Sequence, residues 1–161
     1  MKKICVLLLS LLLLFPALAS PQNWTQEEQE LIDHIKMCWD AWIDTRPQAD
    51  HDQFFERCPW SEDLSMWWTN DGMPQTLERT IRNWVVPPVD VMWLDLNPIA
   101  IRIWDDVAMV QMYAIWKAKT PDGLVNTEYK RTEIFRRVDG RWVFMGGQGT
   151  PVSAKDEDPY G

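Results

Sequence analysis

The sequence predicts an α+β domain, with three N-terminal helices packed on one face of a bent, mostly antiparallel sheet. Three observations predict it. Apolar residues recur at three- and four-residue steps from Leu31 to Val85, then switch to alternation. Pro47, Pro59 and Pro87-Pro88 stop the helical stretches one by one. The alternating half is then divided by short turn signals, not by further helices, which favours hairpins over parallel crossovers.

Each element follows in order. Thr25 is a natural first-helix cap, with Glu28 three residues on to complete a capping box. Leu31, Ile35, Cys38, Trp39, Trp42 and Ile43 form one apolar stripe on that helix. Asp50 or Asp52 caps a short second helix over Gln53 to Arg57. The stretch from Cys58 to Gly72 reads as a loop carrying Trp60, Trp67 and Trp68, and Asn70-Asp71-Gly72 ends it in a turn. A third helix is expected from Thr76 to Val85, with the rigid Pro87-Pro88 as its exit. Val89 to Leu96 reads as a strand or strand pair, and Ile99, Ile101 and Ile103 alternate after Asn97-Pro98. Val107 to Ala118 is apolar on both faces and reads as a central strand covered on both sides. Asn126 to Val138 alternates again, Asp139-Gly140 is a two-residue hairpin signal, and Arg141 to Gln148 forms the last strand. Residues from Pro151 to Gly161 are expected to trail as a tail.

The first residues carry a different message. Lys2 and Lys3 precede an almost wholly apolar run from Ile4 to Phe15, followed by Pro16 and Ala17-Leu18-Ala19. That is the layout of a cleaved secretory signal, and the run is too short for a span of about 20 residues. Cleavage near Ala19 is expected, leaving one domain over residues 20–150 in a secreted or periplasmic protein that has no membrane attachment once the signal is gone. The net charge is −8, and both leader lysines count against it. So acidic a surface repels phosphate backbones and argues against a nucleic-acid partner.

Chemistry-bearing motifs are sparse. His34 and His51 belong to no HExxH or CxxC-type set, so neither a metal nor a cofactor is expected. Gly146-Gly147-Gln148-Gly149 has no helix after it and is not a phosphate loop; its glycines suit a bend in the last strand. Cys38 and Cys58 remain after the leader. With the turn between the first two helices centred near Gln48, each stands about ten residues, roughly 15 Å, from it. A bridge between them is expected, two buried thiols being the alternative.

The stretch Tyr129 to Val152 resembles the last hairpin of SnoaL-like domains in the nuclear transport factor 2-like superfamily. The resemblance lies in Arg131-Thr132, Ile134, Phe135, Arg136-Arg137, Asp139-Gly140-Arg141-Trp142 and Gln148-Gly149-Thr150, together with the order of helices before them. It implies a strongly curved sheet, a cystatin-like roll or cone around the helices, with an apolar pocket at one end. It also implies a homodimer through the outer face of the sheet. Gln148 stands where such domains often carry His, so no catalytic His is inferred there.

From the resemblance, the loop holding Trp60, Trp67 and Trp68 borders the pocket mouth, whereas Trp39, Trp42, Trp84 and Trp142 read as core. Glu133 follows the Thr and is the residue expected to point inward, with Arg131 beside it as an ion-pair partner. Asp63 sits where isomerase-like relatives place a carboxylate, or else caps a turn with Ser61. Gln111 and Tyr113 share one face of the long apolar strand and would supply hydrogen bonds inside the cone. Trp104, Trp116, Phe144 and Gln148 complete the expected lining. Two functions stay open: a binding module for a small apolar or aromatic ligand, or an isomerase, cyclase or dehydratase with Glu133 or Asp63 as general base and Tyr113 or Gln148 holding an oxyanion.

Overall fold

A computed structural model of the chain describes residues 22–45, 51–68, 73–83, 90–120 and 123–152. The expected signal segment, Trp84, the turn near Gln48, the Asn70-Asp71-Gly72 turn and the tail beyond Val152 lie outside the described residues. Among the described residues, three helices, α1 (Gln26–Thr45), α2 (His51–Arg57) and α3 (Leu77–Asn83), precede or interrupt five strands. These are β1 (Trp60–Trp68), β2 (Asp90–Trp104), β3 (Val107–Thr120), β4 (Gly123–Val138) and β5 (Arg141–Pro151). The sheet order is β1-β5-β4-β3-β2. Every pairing is antiparallel except β1 with β5. This is the α+β class that the sequence predicts.

The start of α1 is built as its sequence requires. The Thr25 amide donates to Glu28 Oε2 at 2.8 Å, and the Glu28 amide donates back to Thr25 Oγ1 at 3.3 Å. Leu31, Ile32 and Ile35 on the inward face of α1 join Ile101, Val110, Met112, Phe135, Trp142 and Phe144 of the sheet in the main core. A second cluster of Cys38, Ala41, Phe54 and Cys58 seals the angle between α1 and α2. Cys38 and Cys58 are disulfide-bonded, with Cα atoms 5.1 Å apart.

Three differences from the sequence reading matter for the site. The expected loop at Trp60 is the strand β1, paired in parallel with β5. Leu64 and Met66 point inward while Asp63, Ser65 and Trp67 point out, a period-two signal hidden by the flanking tryptophans. The expected strand or strand pair before Pro98 and the alternating stretch after it are one edge strand, β2, with irregular register near Val91 and Pro98. A proline is tolerated there because an edge strand needs fewer ladder hydrogen bonds. Finally, β3 is buried on one face only: Ala108, Val110, Met112, Ala114 and Ala118 are buried, while Gln111, Lys117 and Lys119 are exposed.

Candidate functional site

The helices do not fill the hollow of the sheet. A cavity of about 340 Å³ remains between α1, α2, α3 and the inner face of all five strands. Its helical wall is Ile35, Trp39, Trp42 and Phe54, with the Cys38–Cys58 bridge between them. Its strand wall includes Trp60, Met66, Leu94, Ala114, Trp116, Phe135 and Phe144. The aromatic part is tightly nested: the Trp60 ring lies 5.1 Å from Phe144 and 5.6 Å from Phe54, centroid to centroid.

Three polar features enter this apolar space. Arg131 Nη2 and Glu133 Oε1 of β4 form an ion pair at 2.6 Å, with side chains only 9% and 5% exposed. The same guanidinium lies 4.6 Å from the ring centroid of Trp39, a cation–π contact across the cavity. Burial pushes the Glu133 carboxyl above the ordinary carboxylate range, and the neighbouring Arg131 charge only partly offsets this. Tyr129, two residues earlier on the same face, has its hydroxyl pKa raised by burial, with Arg131 again opposing. Lastly, the indole Nε1 of Trp116 is buried without a hydrogen-bond partner. Its ring packs edge-on to Tyr129 at 5.8 Å. A buried N–H with no acceptor costs roughly 1–3 kcal/mol, which an incoming acceptor would recover.

The cavity brings together Trp60, Trp116, Arg131, Glu133 and Phe144 of the expected set. Trp39 and Trp42, read as plain core, also line it, because the apolar stripe of α1 is the cavity roof. Other expected residues lie elsewhere. Gln111, Tyr113 and Gln148 border a shallow depression on the outer face of the sheet. Trp67 pairs in register with Gln148, Gln148 with Thr132 and Thr132 with Gln111, making one cross-strand row on that outer face. Trp67 is 47% exposed. Trp104 is 56% exposed at the end of the β2–β3 hairpin. Asp63 is exposed on β1, where its backbone amide donates to Ser61 Oγ at 3.1 Å, the turn-capping alternative. The backbone of Trp68 pairs with Gly149, and its side chain lies outside what is described.

The physical reasons are specific. In β3 both faces are apolar by sequence, so the inward parity was not legible; the even positions face in. In β5 the register shifts between its pairings with Phe135 and Ile134, leaving Met145 as an extra residue. That bulge keeps Trp142 and Phe144 inward and turns Gln148 outward. Gly146 adopts φ +139 there, a conformation few side chains accept.

No family model matches the sequence, and no curated protein matches it. Solved structures do. An NTF2-like protein from Cytophaga hutchinsonii superposes with a TM-score of 0.64 at 18% identity, covering 80% of this chain and 100% of that one. A putative Ca/calmodulin-dependent kinase II association domain from Exiguobacterium sibiricum gives 0.63 at 13%, covering 81% and 97%. A ketosteroid isomerase-like protein from Erwinia carotovora atroseptica gives 0.63 at 10%, covering 81% and 99%. With the helices, sheet order and hollow described above, the chain has the nuclear transport factor 2-like fold.

Proposed function

We propose that the protein is an exported binding protein for a small, largely apolar molecule that carries one hydrogen-bond acceptor. The observation that carries this reading is the unpartnered indole N–H of Trp116, held in an otherwise apolar cavity of about 340 Å³. That volume falls in the range of small-molecule sites. The acceptor, a carbonyl or ether oxygen, meets Trp116 Nε1; the remainder of the ligand lies against Trp39, Trp42, Trp60 and Phe144. Titration with aromatic ketones tests this through indole fluorescence. Trp116→Phe keeps an aromatic side chain and removes the donor, so affinity should fall about tenfold, the effect of one lost neutral hydrogen bond. Equal affinities of the two proteins would refute the assigned contact.

A second reading is favoured by one observation of its own, the buried Glu133 with its raised pKa. In it, the protein is an isomerase-, cyclase- or dehydratase-type enzyme with Glu133 as general base, and Arg131 steers how far that carboxylate is free to accept a proton. Asp63, Tyr113 and Gln148 drop out of this scheme because they do not border the cavity. If a proton-transfer activity is found, Glu133→Gln should abolish it; full activity in that variant would remove this reading.

Export follows from the N-terminal signal layout, with cleavage near Ala19 and a domain over 20–150, and the disulfide is compatible with an oxidising compartment. Among the described residues, no helix is long and apolar enough to cross a membrane. Self-association through the outer sheet face is also part of the proposal. Ile99 and Trp93 are exposed there, and the similar structures include the association domain of a Caenorhabditis elegans CaMKII.

A further inference from the structure

The helical wall of the cavity ends at the Cys38–Cys58 bridge, and His34 stands on the far side of it. His34 and Cys38 are four residues apart on α1, so their side chains lie one above the other on the same helix face. His34 Nε2 is 3.5 Å from Cys38 Sγ. Cys58, just past the end of α2, brings the second sulfur. The imidazole nitrogen and the two sulfurs all lie within 4.8 Å of one another.

We propose that, once the bridge is reduced, His34, Cys38 and Cys58 form a three-ligand site for a zinc-class metal ion. Two thiolates and one imidazole suit a borderline-soft ion with tetrahedral preference, and with three protein ligands a fourth position stays open to water. Tetrahedral geometry with Zn–S near 2.3 Å and Zn–N near 2.1 Å sets donor atoms about 3.5–3.8 Å apart. The His34–Cys38 separation already has that value. Breaking the bridge frees the two sulfurs to turn about their side-chain bonds toward that spacing, from Cα atoms 5.1 Å apart.

The steps balance. A dithiol gives two electrons and two protons to the bridge and closes to its own disulfide, leaving two thiols on the protein. The metal ion then displaces those two protons to solvent as both thiolates coordinate. A disulfide oxidant reverses the sequence and frees the ion, so the same two sulfurs serve either as a bridge or as ligands.

Both sides of the site are approachable. Cys38 and Cys58 border the main cavity, whereas His34 borders a separate cleft with Glu30, Arg57 and Arg141. Arg57 and Arg141 oppose a bare cation in that cleft. Two coordinated thiolates cancel the charge of a divalent ion, so occupancy depends on both sulfurs. This dependence is what ties the site to the redox state of the bridge.

The test uses the exported form of the protein, without the leader that carries Cys5, reduced on an immobilised dithiol under anaerobic conditions and filtered before metal is added. Cobalt(II) serves as the probe. The reduced protein should bind one equivalent and develop sulfur-to-cobalt charge-transfer absorption with tetrahedral visible bands. Unreduced protein should show neither. His34→Ala leaves the bridge and the fold of the oxidised protein in place. In its reduced form cobalt should bind at least about tenfold more weakly, since even outer-shell partners are worth 10–100-fold. Absence of these bands in the reduced wild type overturns the proposal. So does unchanged affinity in His34→Ala, or loss of helical circular dichroism on reduction alone.

Discussion

At the scale of single residues, the Arg131–Glu133 pair puts two buried charges into the cavity lining. Two charges are withdrawn from water where desolvation is costly, and each is tolerated because of the other. Replacing Arg131 by Met should therefore destabilise the fold by roughly 3–5 kcal/mol at mildly alkaline pH, by stranding the Glu133 carboxylate. The sign of the pH dependence follows from the raised pKa of Glu133. A carboxyl that holds its proton more tightly when folded contributes stability below the unfolded value, near 4.3, and loses it as pH rises through the folded value. Arg131→Met raises the folded value further, so its deficit should shrink on acidification, measured by urea unfolding across pH. A deficit that stays constant with pH would show that Glu133 is not the group left unpaired. The pairing of these two residues was legible in the sequence, because they sit two apart on an alternating strand. The orphaned N–H of Trp116 was not, because it depends on what stands opposite the indole in three dimensions.

At the scale of elements, the β1–β5 pairing forms part of the cavity wall and rests on glycine. A Cβ at Gly146 would collide with the Ser65 carbonyl of β1, and Gly146 also holds φ +139. Gly123 has a similarly positive φ of +124 but open space around it. Both alanine variants should pay backbone strain of about 1–3 kcal/mol. Only Gly146→Ala should pay the collision as well, so it should be the more destabilised of the two by chemical denaturation. Equal losses would mean that β1 does not press on β5 there. The three helices, the Asp139-Gly140 hairpin and the Thr25–Glu28 cap were all readable, because local chemistry decides them. The strand β1 was not read, although Leu64 and Met66 alternate correctly, because its partner lies at the other end of the chain and three tryptophans masked the period. The outward turn of Gln148 was likewise hidden: the glycines announce a bend, but only the register with β4 shows that one residue is spare. The bridge between Cys38 and Cys58 closes a 20-residue separation and stabilises the α1–α2 corner by roughly 3 kcal/mol.

At the scale of the whole molecule, order and periodicity were enough for the fold, and the resemblance in Tyr129 to Val152 holds at the level of the nuclear transport factor 2-like fold. The site was legible in part. Arg131 and Glu133 of β4 and the aromatic side chains Trp60, Trp116 and Phe144 border the hollow, whereas Gln111, Tyr113 and Gln148 border the outer face and Trp67 and Trp104 are exposed. A sheet has two faces, and where both are apolar in sequence only the register between strands selects the inner one. The central claim is that the hollow between α1 and this sheet is a ligand site and not a packing defect. Ala114 borders it, and its small side chain is buried. Calorimetric titration of aromatic ketones into wild type and Ala114→Phe tests the claim most directly. The account predicts saturable one-to-one binding by the wild type and loss of binding when the phenyl ring occupies the space. Binding that survives Ala114→Phe in a folded protein, or none to the wild type, would contradict it.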